Sequence, residues 1–187
     1  MYIFVLKTKS KVTHNKVFIA TSLDGYIADK SGSVDFLYKY PEAEGEDMGY
    51  YHFMSGIDAL LMGRKTFETV LGFGVAWPYT KPVFVWSSTL EAISEELNGK
   101  VFLLKGSPTE LITQVNAMGH YHLYIDGGQT IRAFLEEGLI EEMIITTIPV
   151  LLGEGIPLFG HKGDMILFQC QESKCFSHGV TQSRYIR

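Results

Sequence analysis

A glycine, two cations and a threonine in succession, Gly63-Arg64-Lys65-Thr66, form the stretch of this chain best suited to hold an anion. They follow an apolar run, Ala59 to Met62, at the point where a buried strand should give way to a helix. A helix start offers free backbone N–H groups and the positive end of a dipole, and Arg64 and Lys65 add charge at the same place. The same residues also suit an ordinary strand-to-helix turn with solvated basic side chains. Two further loops bear on the choice. Ser87-Ser88-Thr89 follows the apolar run Pro82–Trp86, and its hydroxyls could donate to a phosphate or cap the next helix. Asp126-Gly127-Gly128 follows His122–Ile125 and precedes a helical pattern. Paired glycines there permit close approach of a ligand to the backbone, or simply a tight turn. All three loops fall at the carboxyl ends of expected parallel strands, the rim of an open α/β sheet where ligands bind. Three anion-friendly loops on one rim favour a nucleotide.

Other residues are less informative. Asp47 opens an expected helix, Asp47 to Met54, with Tyr51 one turn on; helix capping and a functional carboxylate are both open for it. Asp24 and Asp35 sit among glycines as turn formers. Glu42, Glu44 and Glu46 form with Asp47 an acidic cluster that suits a solvated loop. The six histidines show no metal-ligand spacing, so no metal is expected. Cys170 and Cys175, the only cysteines, match no zinc pattern and read as buried or idle cytosolic thiols. A net charge of -5 leaves no basic surplus for nucleic acid. The apolar N-terminal run Tyr2–Leu6 is too short for a membrane span, and the lysines follow it, whereas a secretory signal has its charge first. A cytoplasmic protein with a small-molecule substrate is expected.

The elements that must position the three loops alternate along the chain. Short runs rich in Val, Ile, Leu and Phe predict strands at Lys16–Ala20, Ala59–Met62, Pro82–Trp86, Val101–Leu104, His122–Ile125 and Met143–Thr147, buried on both faces. Between two of them Ser107, Pro108 and Glu110 spell the start of a helix whose apolar stripe is Leu111, Ile112, Val115 and Met118, closed by Gly119. Another helix is expected from Gln129 to Glu137. Met165–Ser173 and Gly179–Ile186 predict an antiparallel hairpin on the sheet edge. The expectation is one α/β domain over residues 16–187, behind an extension formed by residues 1–15.

Taken in order, Ala20-Thr21-Ser22-Leu23-Asp24-Gly25-Tyr26-Ile27-Ala28, then Met62-Gly63-Arg64-Lys65-Thr66-Phe67-Glu68, then Gly127-Gly128 resemble the dihydrofolate reductase superfamily. Ile148 to Phe159, with Leu151-Leu152-Gly153-Glu154-Gly155, looks most like its riboflavin-biosynthesis reductase branch. The resemblance implies a three-layer α/β fold whose eight-stranded, mostly parallel sheet ends in an antiparallel hairpin. It implies an NADPH-dependent reductase of a pyrimidine or pterin-type heterocycle, such as 5-amino-6-(5-phosphoribosylamino)uracil, with dihydrofolate as the alternative substrate and a non-catalytic nucleotide binder as the alternative role. Gly63, Arg64, Lys65 and Thr66 would then hold the cofactor phosphates, and Ser87 and Ser88 the adenosine 2′-phosphate. The Gly127–Gly128 link would be a cis peptide against the pyrophosphate, and backbone at Ala20 and Ile27 would meet the nicotinamide amide. On the substrate side the resemblance gives Asp47 as the carboxylate on the ring, Tyr51 as the aromatic beside it and Thr146 as the support of that carboxylate. A stand-alone member and a homodimer are further expectations of the branch.

Overall fold

The computed structural model describes residues 13–39, 47–160 and 164–187. Residues 1–12 of the expected extension, Glu42, Glu44 and Glu46 of the acidic cluster, and His161 lie outside the described residues. The first strand, β1 (His14–Ser22), begins two residues ahead of the expected domain start. After a tight turn come β2 (Tyr26–Ala28), α1 (Tyr50–Ser55), β3 (Ala59–Gly63) and α2 (Arg64–Gly72). Then follow β4 (Val83–Trp86), β5 (Val101–Leu104), α3 (Pro108–Ala117), β6 (His122–Asp126) and α4 (Gly128–Glu136). The chain ends with β7 (Glu142–Ile148), β8 (Ile156–Pro157), β9 (Gln169–Cys175) and β10 (Thr181–Ile186).

Eight of these strands form one sheet in the order β5-β4-β3-β6-β1-β7-β10-β9, and β2 pairs with β8 in a small antiparallel ribbon. All pairings from β5 to β7 are parallel, whereas β10 runs antiparallel to both β7 and β9. The parallel strands need helical crossovers, which cover both faces and explain why their sequences are apolar throughout. Leu60 and Leu61 in β3 are both fully buried, one in each of two cores. One core holds Leu111, Ile112 and Val115 of α3 with Ile131 and Phe134 of α4. The other holds Phe53 of α1 and Phe67 of α2, with Tyr124 of β6. The three layers are therefore α3 and α4, the sheet, then α1 and α2.

Four local expectations are corrected. The helix expected from Asp47 starts at Tyr50, because Met48 and Gly49 both take positive φ (49° and 84°), which a right-handed helix cannot include. Met118 is exposed, since α3 has already ended before it. Ser87 caps no helix; its Oγ accepts from the backbone N–H groups of Thr89 and Leu90 and closes a turn. Cys170 and Cys175 are both exposed, because β9 is an edge strand with neither face covered.

Candidate active site

β3 and β6 are neighbours in register, Met62 beside Asp126, so the chain leaves both strands at the same rim. From there it enters α2 on one face and α4 on the other, and the two helix starts interlock. A Cβ placed on Gly127 would stand 2.2 Å from Oγ1 of Thr66, in the first turn of α2. A Cβ on Gly63 would stand 3.0 Å from Oγ1 of Thr130, in the first turn of α4. Gly127 also takes φ 88° and ψ 133°, a conformation side chains with a Cβ rarely adopt. That turn is made with a trans peptide: none of the described peptide bonds is cis, so the cis link expected at Gly127–Gly128 is absent and the positive φ redirects the chain in its place.

The capping pattern sets these two helices apart. At α3 the Ser107 side chain accepts from Glu110 N–H, and the Glu110 carboxylate accepts from Ser107 N–H at 2.7 Å, a complete capping box. At α2 and α4 no side chain caps the first turn. Their first-turn N–H groups and positive dipole ends are left without side-chain partners at two starts that lie against each other, an arrangement that suits an anion.

A second layer of loop closes over this point. Asp24 accepts from Ser22 Oγ at 2.5 Å and from Gly153 N–H at 2.8 Å, and Leu158 N–H donates to Gly25. Ser22 and these backbone donors hold the Asp24 carboxyl below its ordinary pKa, against a smaller opposing desolvation. The clasp fixes β2 on β8, and Ile27 comes down on Gly128, where an added Cβ would meet its Cδ1 at 2.7 Å. Arg132 of α4 donates to the Pro157 carbonyl and completes the edge. The structure thus brings together Gly63, Thr66, Gly127, Gly128 and Ile27. Ser87 ends the adjacent strand β4, and Ala20 lies on β1, on the other side of β6. Arg64 is half-exposed and paired with Glu68 at 3.6 Å, while Lys65 and Ser88 are exposed to solvent.

Asp126 is the acid that the glycine pattern had hidden. Its carboxyl lies on the α1 side of the sheet, among Tyr50, Tyr79 and Tyr124, and burial pushes its pKa up to about 6 against the pull of the Gly127 N–H, 2.8 Å away. The three phenols are themselves raised, first by burial and then by the Asp126 charge. Tyr124 donates to the Phe18 carbonyl at 2.8 Å, and its ring meets Phe53 of α1 edge-on. One sequence signal was available: a carboxylate closing the apolar strand Leu-Tyr-Ile-Asp.

The expected substrate residues are arranged otherwise. Asp47 precedes α1 and its two oxygens accept from the N–H groups of Gly49 (2.9 Å) and Tyr51 (2.6 Å); these bonds, Tyr51 foremost, keep its carboxyl below the ordinary pKa. The Tyr51 ring is 77% exposed, and Tyr50, beside it, is the residue packed inward against Phe18. Thr146 is buried, and its Oγ1 accepts from Gln182 Nε2, which also donates to the Met48 carbonyl. Its support therefore reaches the backbone beside Asp47 and not the carboxylate. Below α1 a groove of about 560 Å³ runs along the sheet between Phe18, Met48 and Gln182. Lys16 and Arg184 share Glu142 at 3.1 and 3.5 Å, and Lys174 pairs with Glu172 at 3.1 Å, so the groove lines three lysine and arginine cations against two glutamates.

Among known proteins, the family model for the RibD C-terminal domain matches residues 14–182. A crystal structure from Shewanella sp. PV-4, described as that of a riboflavin biosynthesis protein, shares 48% identity and superposes with a TM-score of 0.89, covering 93% of this chain and 98% of that one. The uncharacterized protein YwjB of Bacillus subtilis is 33% identical over 173 residues, 91% of this chain and 96% of that protein. Dihydrofolate reductase of Enterococcus faecalis, solved with NADP(H), is 14% identical with a TM-score of 0.64 over 93% of this chain and 96% of that one, a likeness of fold alone.

Proposed function

The chain belongs to the RibD C-terminal domain family, and from that membership we propose that it is an NADPH-dependent reductase of a pyrimidine or pterin-type heterocycle. The observation that carries the reading is the pair of uncapped, interlocked helix starts at Gly63–Thr66 and Gly127–Thr130. Glycine at 63, 127 and 128 lets Thr130, Thr66 and Ile27 approach the backbone more closely than a Cβ would allow, and the uncapped N–H groups of the two adjoining helix starts suit a pyrophosphate. From β4 to β1 the rim spans three strand spacings, roughly 14 Å. A dinucleotide laid along it has its adenosine end by Ser87 and Ser88, its phosphates by Gly63, Arg64, Lys65, Thr66, Gly127 and Gly128, and its nicotinamide by Ala20 and Ile27. The cofactor, when bound, supplies a hydride.

The chain's own task is then to orient the heterocycle, exclude water and deliver a proton. Asp126 suits the last of these. Its half-buried carboxyl, with a pKa of about 6, keeps a useful protonated fraction near neutrality and stands on the sheet face that α1 covers. Tyr50 and Tyr79 supply the aromatic walls beside it, and Asp47 at the mouth orders the turn into α1 through Gly49 and Tyr51.

The test has two stages. Titration calorimetry should show NADPH binding more tightly than NADH, and 5-amino-6-(5-phosphoribosylamino)uracil should then oxidise the bound cofactor. No binding at millimolar NADPH would remove the proposal. Tight binding with no oxidation, by this substrate or by dihydrofolate, would leave a nucleotide binder without catalysis. Turnover of dihydrofolate that is lost in Asp47→Asn would assign a dihydrofolate reductase.

A further inference from the structure

The sheet face below α1 carries a second arrangement of rings and charges, away from the nucleotide rim. Strand register aligns Phe18 of β1, Ile144 of β7, Arg184 of β10 and Glu172 of β9 in one row across four strands. All four line the groove of about 560 Å³. Neighbouring strands stand about 4.8 Å apart, so the row passes from an aromatic ring to a guanidinium within roughly 10 Å. Phe53 of α1 meets Phe18 with ring centroids 5.1 Å apart, and His52, Gly49 and Gly56 of the same helix region form the wall. That wall stands back from the sheet. A Cβ added at Gly49 would meet nothing within 4 Å, and one at Gly56 would meet the Phe53 carbonyl alone, at 3.6 Å.

The charges in the groove do not cancel. Lys16, Lys174 and Arg184 face Glu142 and Glu172, which leaves one positive charge in excess before His52 is counted. Arg184 carries that excess. Its NH1 stands 3.5 Å from Glu142, longer than a charge-assisted hydrogen bond, because Lys16 holds the other oxygen of the same carboxylate at 3.1 Å. The Arg184 side chain is 39% exposed, so its fork keeps donors on the groove floor that no carboxylate among the described residues fills closely.

We infer that this groove binds an aromatic or heteroaromatic monocarboxylate, its ring on Phe18 and Ile144 and its carboxylate on Arg184 and Lys174. Complementarity selects the class. A planar carboxylate matches the guanidinium fork, and a single negative charge matches the excess. A neutral aromatic leaves the fork unused, a cation meets three cations, and a dianion meets Glu142 and Glu172. The site is separate from the Asp126 pocket. Tyr50 faces Asp126, whereas Gly49, His52 and Phe53 border the groove, so α1 lies between the two. The inference is therefore independent of the nucleotide reading.

A heteronuclear NMR titration of the full chain with 2-naphthoate tests it. Saturable binding is expected, with shifts at the amides of Gly49, His52, Ile144 and Gln182. 2-Naphthol keeps the ring without the charge and acetate the charge without the ring; each should bind at least about tenfold more weakly. Arg184→Gln should weaken 2-naphthoate about tenfold or more and leave 2-naphthol unchanged. Lys174→Gln should weaken it about two- to threefold and Glu172→Gln should tighten it by a similar factor. The last two change exposed side chains and leave the fold undisturbed, and a melting curve verifies the folding of Arg184→Gln. No saturable binding overturns the inference, as does equal affinity for 2-naphthol or an affinity indifferent to all three substitutions. Shifts clustered at Gly63 and Gly127 overturn it by placing the probe on the nucleotide rim. An affinity that falls as protein concentration rises overturns it too, by making a second copy the occupant of the groove.

Discussion

At Gly127 two costs coincide, a φ of 88° and a would-be Cβ 2.2 Å from Thr66 Oγ1. Gly127→Ala should destabilise the protein by about 2–4 kcal/mol and abolish cofactor binding. In a Thr66→Ala background the steric part is relieved and the conformational part stays, so roughly half the loss should return in urea melts. Asp126 yields a prediction of opposite sign. Its folded pKa of about 6 is above the ordinary carboxyl value of 3.8, so the stability it contributes is present below pH 4 and is lost as pH rises through about 6. Asp126→Asn should therefore stabilise by about 1–2 kcal/mol at pH 8, discounting for partial exposure, with little change at pH 4. If the carboxyl is the proton donor, kcat/KM of the wild type falls about tenfold per pH unit above pH 6, and the Asn variant loses about a hundredfold with NADPH affinity intact. An Asn variant that turns over normally would remove Asp126 from the chemistry.

At the scale of elements, α3 is the helix whose start is closed by its own residues. Ser107→Ala removes the oxygen that accepts from Glu110 N–H and should cost about 1 kcal/mol in a chemical melt, with NADPH binding untouched. That independence follows from the contrast with α2 and α4, which lack such caps. It also explains what could be read in advance. β5, at Val101–Leu104, and the start of α3 were legible because apolar runs and capping residues are local signals. The rim loops were legible for the same reason. The turn at Met48 and Gly49 was not, because a positive φ at a methionine is held by tertiary contacts such as the Gln182 bond to the Met48 carbonyl. Asp126 went unmarked as an acid since its elevated pKa comes from burial, among neighbours such as Tyr50 and Tyr79 that lie 76 and 47 positions before it in sequence.

For the whole molecule, a ligand that binds only the folded chain raises its stability by mass action. NADPH at a hundred times its dissociation constant should add about 2.7 kcal/mol, and for a chain of 187 residues that lifts Tm by roughly 5–10 °C. Scanning calorimetry with NADPH and with NADH side by side checks it; equal shifts would argue against recognition of the 2′-phosphate. No helix among the described residues is long and apolar enough to cross a membrane. The sheet order has one more consequence, for the history of the chain. β1 is the first strand among the described residues, yet it lies between β6 and β7, with His14 beside His122 and Lys16 beside Glu142. Its sequence Lys-Val-Phe-Ile-Ala must leave the ribosome and wait for its sheet neighbours β6 and β7 until about a hundred further residues have been added. Closing loops of that length is an entropic barrier that local structure cannot lower. The nucleotide cradle is assembled on the same schedule, since Gly63 and Thr130 meet only after β6 has docked. A nascent chain stalled before β6 is therefore an exposed apolar strand with no binding site, a form suited to chaperones and prone to aggregate.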